Sequence, residues 1–373
     1  MPDIDVNFKK DNPTMIVPDE HANQMPPPIP VQVIPKEEIK IKLPPFLWTK
    51  TQTIIKQIES QLNSKIIVYF TDNNSSIANN DVDYFFSHLS SLNQKESISL
   101  ILISNGGSGL AAWRIANMIR NYCQNFNVIV PSRCASAATL LSLSADKIFI
   151  SPSGYLTAID TSLTHPLNPY NNVSRQKTVV SVDQINRIIK FIEKDISEHP
   201  CGKSVSEILF DKIHPIVYGE LERTSSLSKL IAVNMFKLRQ NPPSGEEIEK
   251  IANKLNEGYP THSYPIVYKE AKELGLPVER SSSELDILLS NLVNLYSIAS
   301  TRTYTHFDPT LFHLEHTPVF IESIDKRTFF AISYSSRLMG PNNWKIENDK
   351  TKWLSCTTDA EKPEQPKIDP LNL

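Results

Sequence analysis

Cysteine is scarce in this 373-residue chain: there are four, Cys123, Cys134, Cys201 and Cys356, far apart and without a C-x-x-C pair. That spacing indicates neither a disulfide framework nor a zinc knuckle, and it reads as reduced thiols in a cytoplasm-like compartment. Long apolar runs are missing too. No stretch approaches the roughly eighteen residues a membrane span needs. The N-terminal "MPDIDVNFKKDNPTMIVPDEHANQMPPPIP" has no apolar h-region, so the sequence predicts a soluble, cytoplasmic protein that is not secreted. Neither sign of charge dominates: 38 Lys+Arg against 41 Asp+Glu give a net −3, with no block long enough to serve as a nucleic-acid arm. Glycine is the shortage that matters most. The chain has ten glycines, yet Gly106, Gly107 and Gly109 fall within four consecutive positions.

Proline, by contrast, is concentrated. Residues 1–45 carry Pro26, Pro27, Pro28 and Pro30 in a cluster, which predicts an extended or disordered arm that a protein partner could hold. From Phe46 the pattern changes. "TQTIIKQIESQLN" has helical spacing, "KIIVYF" is strand-like, "DVDYFFSHLSSL" is helical and "ISLILIS" is a continuous apolar strand. "GLAAWRIANMIRNYC" then reads as a helix burying Leu110, Ala111, Ile115, Met118, Ile119 and Tyr122, and "FNVIVP" is the next strand. Apolar strands joined by helices indicate an α/β fold, a parallel sheet with crossover helices on both faces. A largely helical C-terminal half follows, over 182–256, 267–274 and 283–300. The expected division is an arm over 1–45, a main domain over 46–300, a small extension over 301–345 with a β-hairpin, and a disordered tail over 346–373.

Two strand-to-helix loops carry the candidate chemistry. Glycine serves where φ is positive or where a ligand approaches the backbone, so "SNGGSG" at 104–109 is either a tight turn or a row of bare amides facing a ligand. Neither G-x-x-x-x-G-K-[ST] nor G-x-G-x-x-G is spelled there, which argues against a phosphate loop. In "VPSRCASAATLLSLSADKIFIS", Ser136 comes where a helix begins. It is either an N-cap or a nucleophile placed beside the free amide of Ala137. Adjacent in a parallel sheet, the two loops would set the Gly107 amide opposite the Ala137 amide, with the Ser136 hydroxyl between them.

The run "LISNGGSGLAAWRIANMI … VIVPSRCASAATLLSLSADKIFISPSGYLTAID", followed later by "THSYPIVYKEAKELGLPV", resembles the serine dehydrogenase proteinase family, within the Clp-protease and crotonase fold superfamily and related to signal peptide peptidase A. The resemblance covers roughly residues 48–280 and implies a Clp/crotonase-like fold. It implies that Ser104-Asn105-Gly106-Gly107 supplies an oxyanion amide, with Gly106 and Ser108 beside the substrate, and that Ser136 is the nucleophile. Asn105 stands where proline is usual, and Ala138 stands where glycine follows the nucleophile, a methyl group that would narrow the pocket.

A serine needs a proton acceptor, commonly His with a carboxylate or a buried Lys. "LTAIDTSL" has no histidine where Clp-type peptidases carry one; its charged residue is Asp160. Relatives of signal peptide peptidase A place a lysine where Lys177 falls, and a Ser136–Lys177 dyad is the expected machinery. As base, Lys177 would have to drop from about 10.4 to near 7–8, which only a dry site allows. His214, Lys212 and Lys190 are competing or supporting groups, and His262 in "THSYPI" reads as structural. His313 and His316, read on one helical face, lack a carboxylate motif, so no metal site is assigned. Cys134 precedes the helix start and is set aside as a nucleophile.

The expectation is a cytoplasmic serine endopeptidase that forms an acyl-enzyme, needs no ATP, metal or other cofactor, acts on polypeptides and assembles as a homo-oligomer. Nucleic acid and membrane are not expected partners. Two rivals stand beside it: a catalytically silent scaffold of the same fold that binds a partner protein, and a crotonase-like enzyme acting on acyl-coenzyme A.

Overall fold

The computed structural model describes residues 46–371 except 93–95, 161, 164, 169, 172–175, 179, 199–201, 203, 212 and 359–365. The Pro-rich arm, Lys212 and Cys201 therefore lie outside the described residues.

The elements follow the predicted alternation. They are α1 (Trp48–Leu62), β1 (Lys65–Thr71), α2 (Asp81–Leu89), β2 (Glu96–Ile103), α3 (Gly109–Tyr122) and β3 (Cys123–Val130). Next come β4 (Arg133–Cys134), α4 (Ala137–Ser142), β5 (Lys147–Ile150) and β6 (Tyr155–Leu156), then four short strands, β7 (Ser162–Leu163), β8 (Tyr170–Asn171), β9 (Gln176–Lys177) and β10 (Val180–Ser181). The helical half holds α5 (Val182–Glu198), α6 (Val205–Phe210), α7 (Pro215–Lys237), α8 (Gly245–Glu257) and α9 (Tyr268–Glu273), then β11 (Val278–Arg280) and α10 (Ser283–Ala299). The chain closes with β12 (Thr303–Asp308), β13 (Leu311–Ser323), β14 (Lys326–Gly340), β15 (Asn343–Glu347), β16 (Lys352–Thr357) and β17 (Lys367–Pro370).

One 11-stranded sheet organises them, in the order β11-β5-β3-β2-β1-β13-β14-β16-β17, with β12 on β13 and β15 on β14. The first five strands are parallel. Their continuous apolar character follows from double coverage. Ile67, Tyr69, Leu100, Leu102, Val128 and Val130 join the core beneath α2, α3, α4, α7 and α8, whereas the alternate residues Ile66, Val68, Phe70, Ile101, Ile103 and Ile129 pack with α1 and α10. All the carboxyl ends of the parallel strands then open onto one edge, where α/β sheets gather their chemistry.

The C-terminal expectations need correction. Residues 301–345 are no small extension, because β13 pairs antiparallel with β1, Phe70 opposite Phe320, and so continues the main sheet. Without it β1 would be an open edge of bare amides and carbonyls flanked by apolar side chains. The hairpin expected within 301–345 is present, pairing Leu311 to Ser323 with Lys326 to Arg337 and turning at Asp325 with φ 61°. Nor is the tail disordered throughout: in β16, Trp353, Leu354 and Cys356 are buried, and Trp353 stacks on Tyr84 with ring centroids 4.1 Å apart. His313 and His316 lie on a strand, not a helix. His316 Nε2 meets Asp72 Oδ2 at 2.7 Å and His313 Nε2 meets Glu315 Oε1 at 2.6 Å. Leu110, expected in the core, is half exposed.

Candidate active site

The two loops singled out in the sequence are laced together at the carboxyl edge of the sheet. The Ser104 amide donates to the Arg133 carbonyl at 3.1 Å, and the Ala135 amide donates to the Ser104 carbonyl at 3.0 Å. The glycine shortage is resolved here. Gly106 holds φ 101°, and a methyl group on it would lie 2.7 Å from the Ser136 Cβ and 3.0 Å from the Ala137 nitrogen, so only a bare backbone can face the serine this closely. Gly107 holds φ 134°, and its far side is pressed against Ile77: the Ile77 amide donates to the Gly106 carbonyl at 2.7 Å and the Ser108 amide to the Ile77 carbonyl at 2.9 Å. Among the described residues, nothing accepts from the amides of Gly107 or Ala137. The Ser108 hydroxyl is occupied, accepting from the Ala111 amide as the N-cap of α3.

Ser136 is not an N-cap. Its backbone sits at φ 52°, ψ −115°, and its side chain makes no capping hydrogen bond. Such a conformation costs a non-glycine residue on the order of 1–3 kcal/mol and persists only where surrounding contacts impose it. Ser136 is half-buried, and a strained strand-to-helix turn is the setting in which α/β enzymes expose a nucleophile. Ala138, which was expected to narrow the pocket, is fully buried within the core cluster, so its methyl group packs inward. Asn105, at the position where proline is usual, donates through Nδ2 to the Asn73 carbonyl at 3.3 Å. Burial pushes the Cys134 thiol far above its ordinary range, which keeps it an inert neighbour.

The candidate bases are less tidy. Lys177 is exposed on the β8–β9 hairpin, its ammonium 5.7 Å from the centroid of the Tyr170 ring, and not in the dry setting a lysine base needs. His214 is exposed and caps α7, accepting from the Ile216 amide at 3.2 Å. Lys190 is exposed on α5, and Lys212 lies outside the described residues.

Asp160 has a partner that the sequence did not announce. Its Oδ1 lies 2.8 Å from His262 Nδ1, a residue 102 positions away. An ionised carboxylate only accepts, so the proton sits on Nδ1 and Nε2 is left as the ring's acceptor, the tautomer a general base requires. Both halves of this pair are tied to the Ser136 loop. The Ser136 amide donates to Thr157 Oγ1 at 2.9 Å, three residues before Asp160. Leu156 and Ile266, four residues after His262, exchange backbone hydrogen bonds of 3.0 and 2.8 Å. The lone carboxylate of "LTAIDTSL", with no histidine beside it, was the signal available in the sequence; the distance along the chain hid its partner. Among the described residues, no three or more His, Cys, Asp or Glu gather to hold a metal ion, and no helix is long and apolar enough to cross a membrane.

Two uncharacterized proteins of Methanocaldococcus jannaschii are 32% and 26% identical over 188 and 189 residues, covering 50% and 48% of this chain and 55% and 51% of theirs. The chain thus spans about half the length of the curated relatives it matches. Among solved structures, an alanine mutant of the 1510-N membrane-bound stomatin-specific protease is similar at 13% identity and TM-score 0.33, covering 61% of this chain and 82% of that one. ClpP1 from Listeria monocytogenes is similar at 13% identity and TM-score 0.30, covering 61% and 99%. The profile of the ClpP-like SDH-type serine proteinases matches residues 45–236, more than half of the 373, and the chain belongs to that family.

Proposed function

We propose that this protein is a serine endopeptidase in which Ser136 is the nucleophile, the amides of Gly107 and Ala137 form the oxyanion hole, and His262 oriented by Asp160 is the general base. The observation that carries the reading is the strained, uncapped Ser136 set against a glycine loop, with two backbone amides that no described residue engages. Ser136 Oγ attacks the scissile carbonyl carbon and gives its proton to His262 Nε2. The carbonyl oxygen takes the negative charge and the two amides donate to it. Nε2 then protonates the leaving amine as the C–N bond breaks, leaving an acyl-serine that water, activated by the same imidazole, hydrolyses. Asp160 stabilises the imidazolium that forms in between. Lys177 was the first candidate for base, and its exposure favours His262 over it. A polypeptide is the substrate this chemistry needs, and a homo-oligomer would cover the exposed Ile188 and Phe191 of α5.

A fluorophosphonate probe tests the assignment. Wild type labels and Ser136→Ala does not. His262→Ala slows labelling about 10²–10⁴-fold, whereas Lys177→Ala stays within about twofold, since only a base contributes at that scale. Labelling that survives in Ser136→Ala refutes the nucleophile. Loss in Lys177→Ala with His262→Ala unaffected returns the base to the lysine.

A further inference from the structure

Among the serines whose side chains are described, five stand immediately before a helix. Ser108, Ser204, Ser244 and Ser282 hold φ between −60° and −79°, and their hydroxyls cap the first turn. Ser136 alone among these five holds φ 52° and caps nothing. The relaxed alternative is therefore a conformation that this chain adopts four times, and something must bar Ser136 from it. Two buried threonines do so. Thr157 Oγ1 spends its own proton on the Ala158 carbonyl at 3.0 Å, and so meets the Ser136 amide as an acceptor at 2.9 Å. The Thr157 amide donates to Thr139 Oγ1 at 3.1 Å, and the Thr139 hydroxyl donates to the Cys134 carbonyl at 2.8 Å. The bonds form a chain around the bend, from Cys134 through Thr139 and Thr157 to Ser136. Cys134, Thr139 and Thr157 are all buried, the two threonines at 0% and 2% exposure. Turning Ser136 to negative φ would swing its N–H off Thr157 and strand a buried acceptor without water to replace the donor.

We propose that the Thr139–Thr157 hydroxyl pair is a positioning device that holds Ser136 out of its N-cap state and in the attacking one; this rests on the reading of Ser136 as nucleophile. The pair does not touch substrate. It sets which of two backbone states the serine occupies, so its removal releases strain and costs reactivity.

The test uses Thr157→Val, which keeps the volume and deletes the acceptor, and Thr157→Ser, which keeps the acceptor. Fluorophosphonate labelling of Thr157→Val falls about tenfold or more, the factor expected for one buried hydrogen bond. The shape of its pH profile between 6 and 10 is unchanged because the base is intact, and Thr157→Ser recovers the rate. A crystal structure of Thr157→Val shows Ser136 at negative φ with Oγ accepting from the first turn of α4. Labelling of Thr157→Val within twofold of wild type, or a retained positive φ, overturns the proposal. Should Thr157→Val fail to fold, Thr139→Val breaks the other end of the chain of bonds, with the same readouts. A wild type that never labels refutes the peptidase reading, and the φ of residue 136 in the variant still decides the threonine clamp.

Discussion

Gly107→Ala separates the proposed oxyanion role of the glycine loop from its role as a turn. A Cβ at this position would sit 2.5 Å from the Ile77 oxygen, 2.7 Å from its nitrogen and 2.8 Å from the Ser76 Cβ, on a backbone at φ 134°. The left-handed conformation costs alanine about 1–3 kcal/mol, and the collision, which backbone atoms relieve only by moving, adds about 1–3 kcal/mol. The fold therefore loses about 2–6 kcal/mol in all, read from urea unfolding. The amide must shift with the chain, and loss of an oxyanion donor slows acylation about 10²–10³-fold. The control is Gly275→Ala, which shares a positive φ of 92°, has only Ile251 Cδ1 at 3.5 Å, and lies between α9 and β11. It destabilises without slowing fluorophosphonate labelling of the folded fraction. If Gly107→Ala labels within twofold of wild type under conditions where both are folded, the loop does not hold the oxyanion and the site must be redrawn.

Other outcomes follow from the packing. Ser136→Gly, which accepts φ 52° without strain, is more stable than Ser136→Ala by about 1 kcal/mol in urea, and equal stability would show that the bend is unstrained. Burial, with the nearby Lys326 charge, lowers the pKa of His88 from 6.5 to about 3, so the stability tied to its neutral ring is full above pH 6.5 and is lost as pH falls toward 3. Asp81 opposes it: burial raises its pKa from 3.8 to about 6 against bonds from Tyr69 and the Ala78 amide, so the fold gains as pH falls from 6 to 3.8. At about 1.4 kcal/mol per pH unit each, the two nearly cancel between pH 6 and 4, and His88 dominates below. His88→Gln thus shows a shallower loss than wild type between pH 4 and 3, and identical slopes would refute the neutral buried imidazole. Arg327→Met leaves Glu322, which is 0% exposed, without its 2.7 Å partner and costs about 3–5 kcal/mol in urea. A loss below about 1 kcal/mol would mean that Tyr296, Thr51 and Gln52 suffice to hold that carboxylate.

Local periodicity carried the first half of the fold because each parallel strand declares itself: "ISLILIS" is apolar on both faces since helices cover both. The glycine cluster and Ser136 were legible for a similar reason, being local signals at the ends of strands. What escaped was non-local. Nothing in "TPVFIESIDKRTFFAIS" states that its partner is β1, and its alternation is equally that of an isolated hairpin. In the same way "KWLSC" is too short to outweigh the proline-rich flank that follows it. The His262–Asp160 pair was hidden by the same kind of separation. Lys177 looked suitable by its position in the chain, but position does not report solvent, and solvent decides whether a lysine can lose its proton.

The seam between β1 and β13 also sets an order of events at the ribosome. Beside it, Thr51 of α1 and Glu322 of β13 are joined by a 2.7 Å hydrogen bond and are 271 residues apart. At translation speeds of about 5–20 residues per second, the amino-terminal partner waits roughly 15–50 s for the other to be made. Through that interval the nascent chain carries the parallel strands that hold the Ser136 loop with one flank uncovered. The β1 edge stays unpaired until β13 has been made.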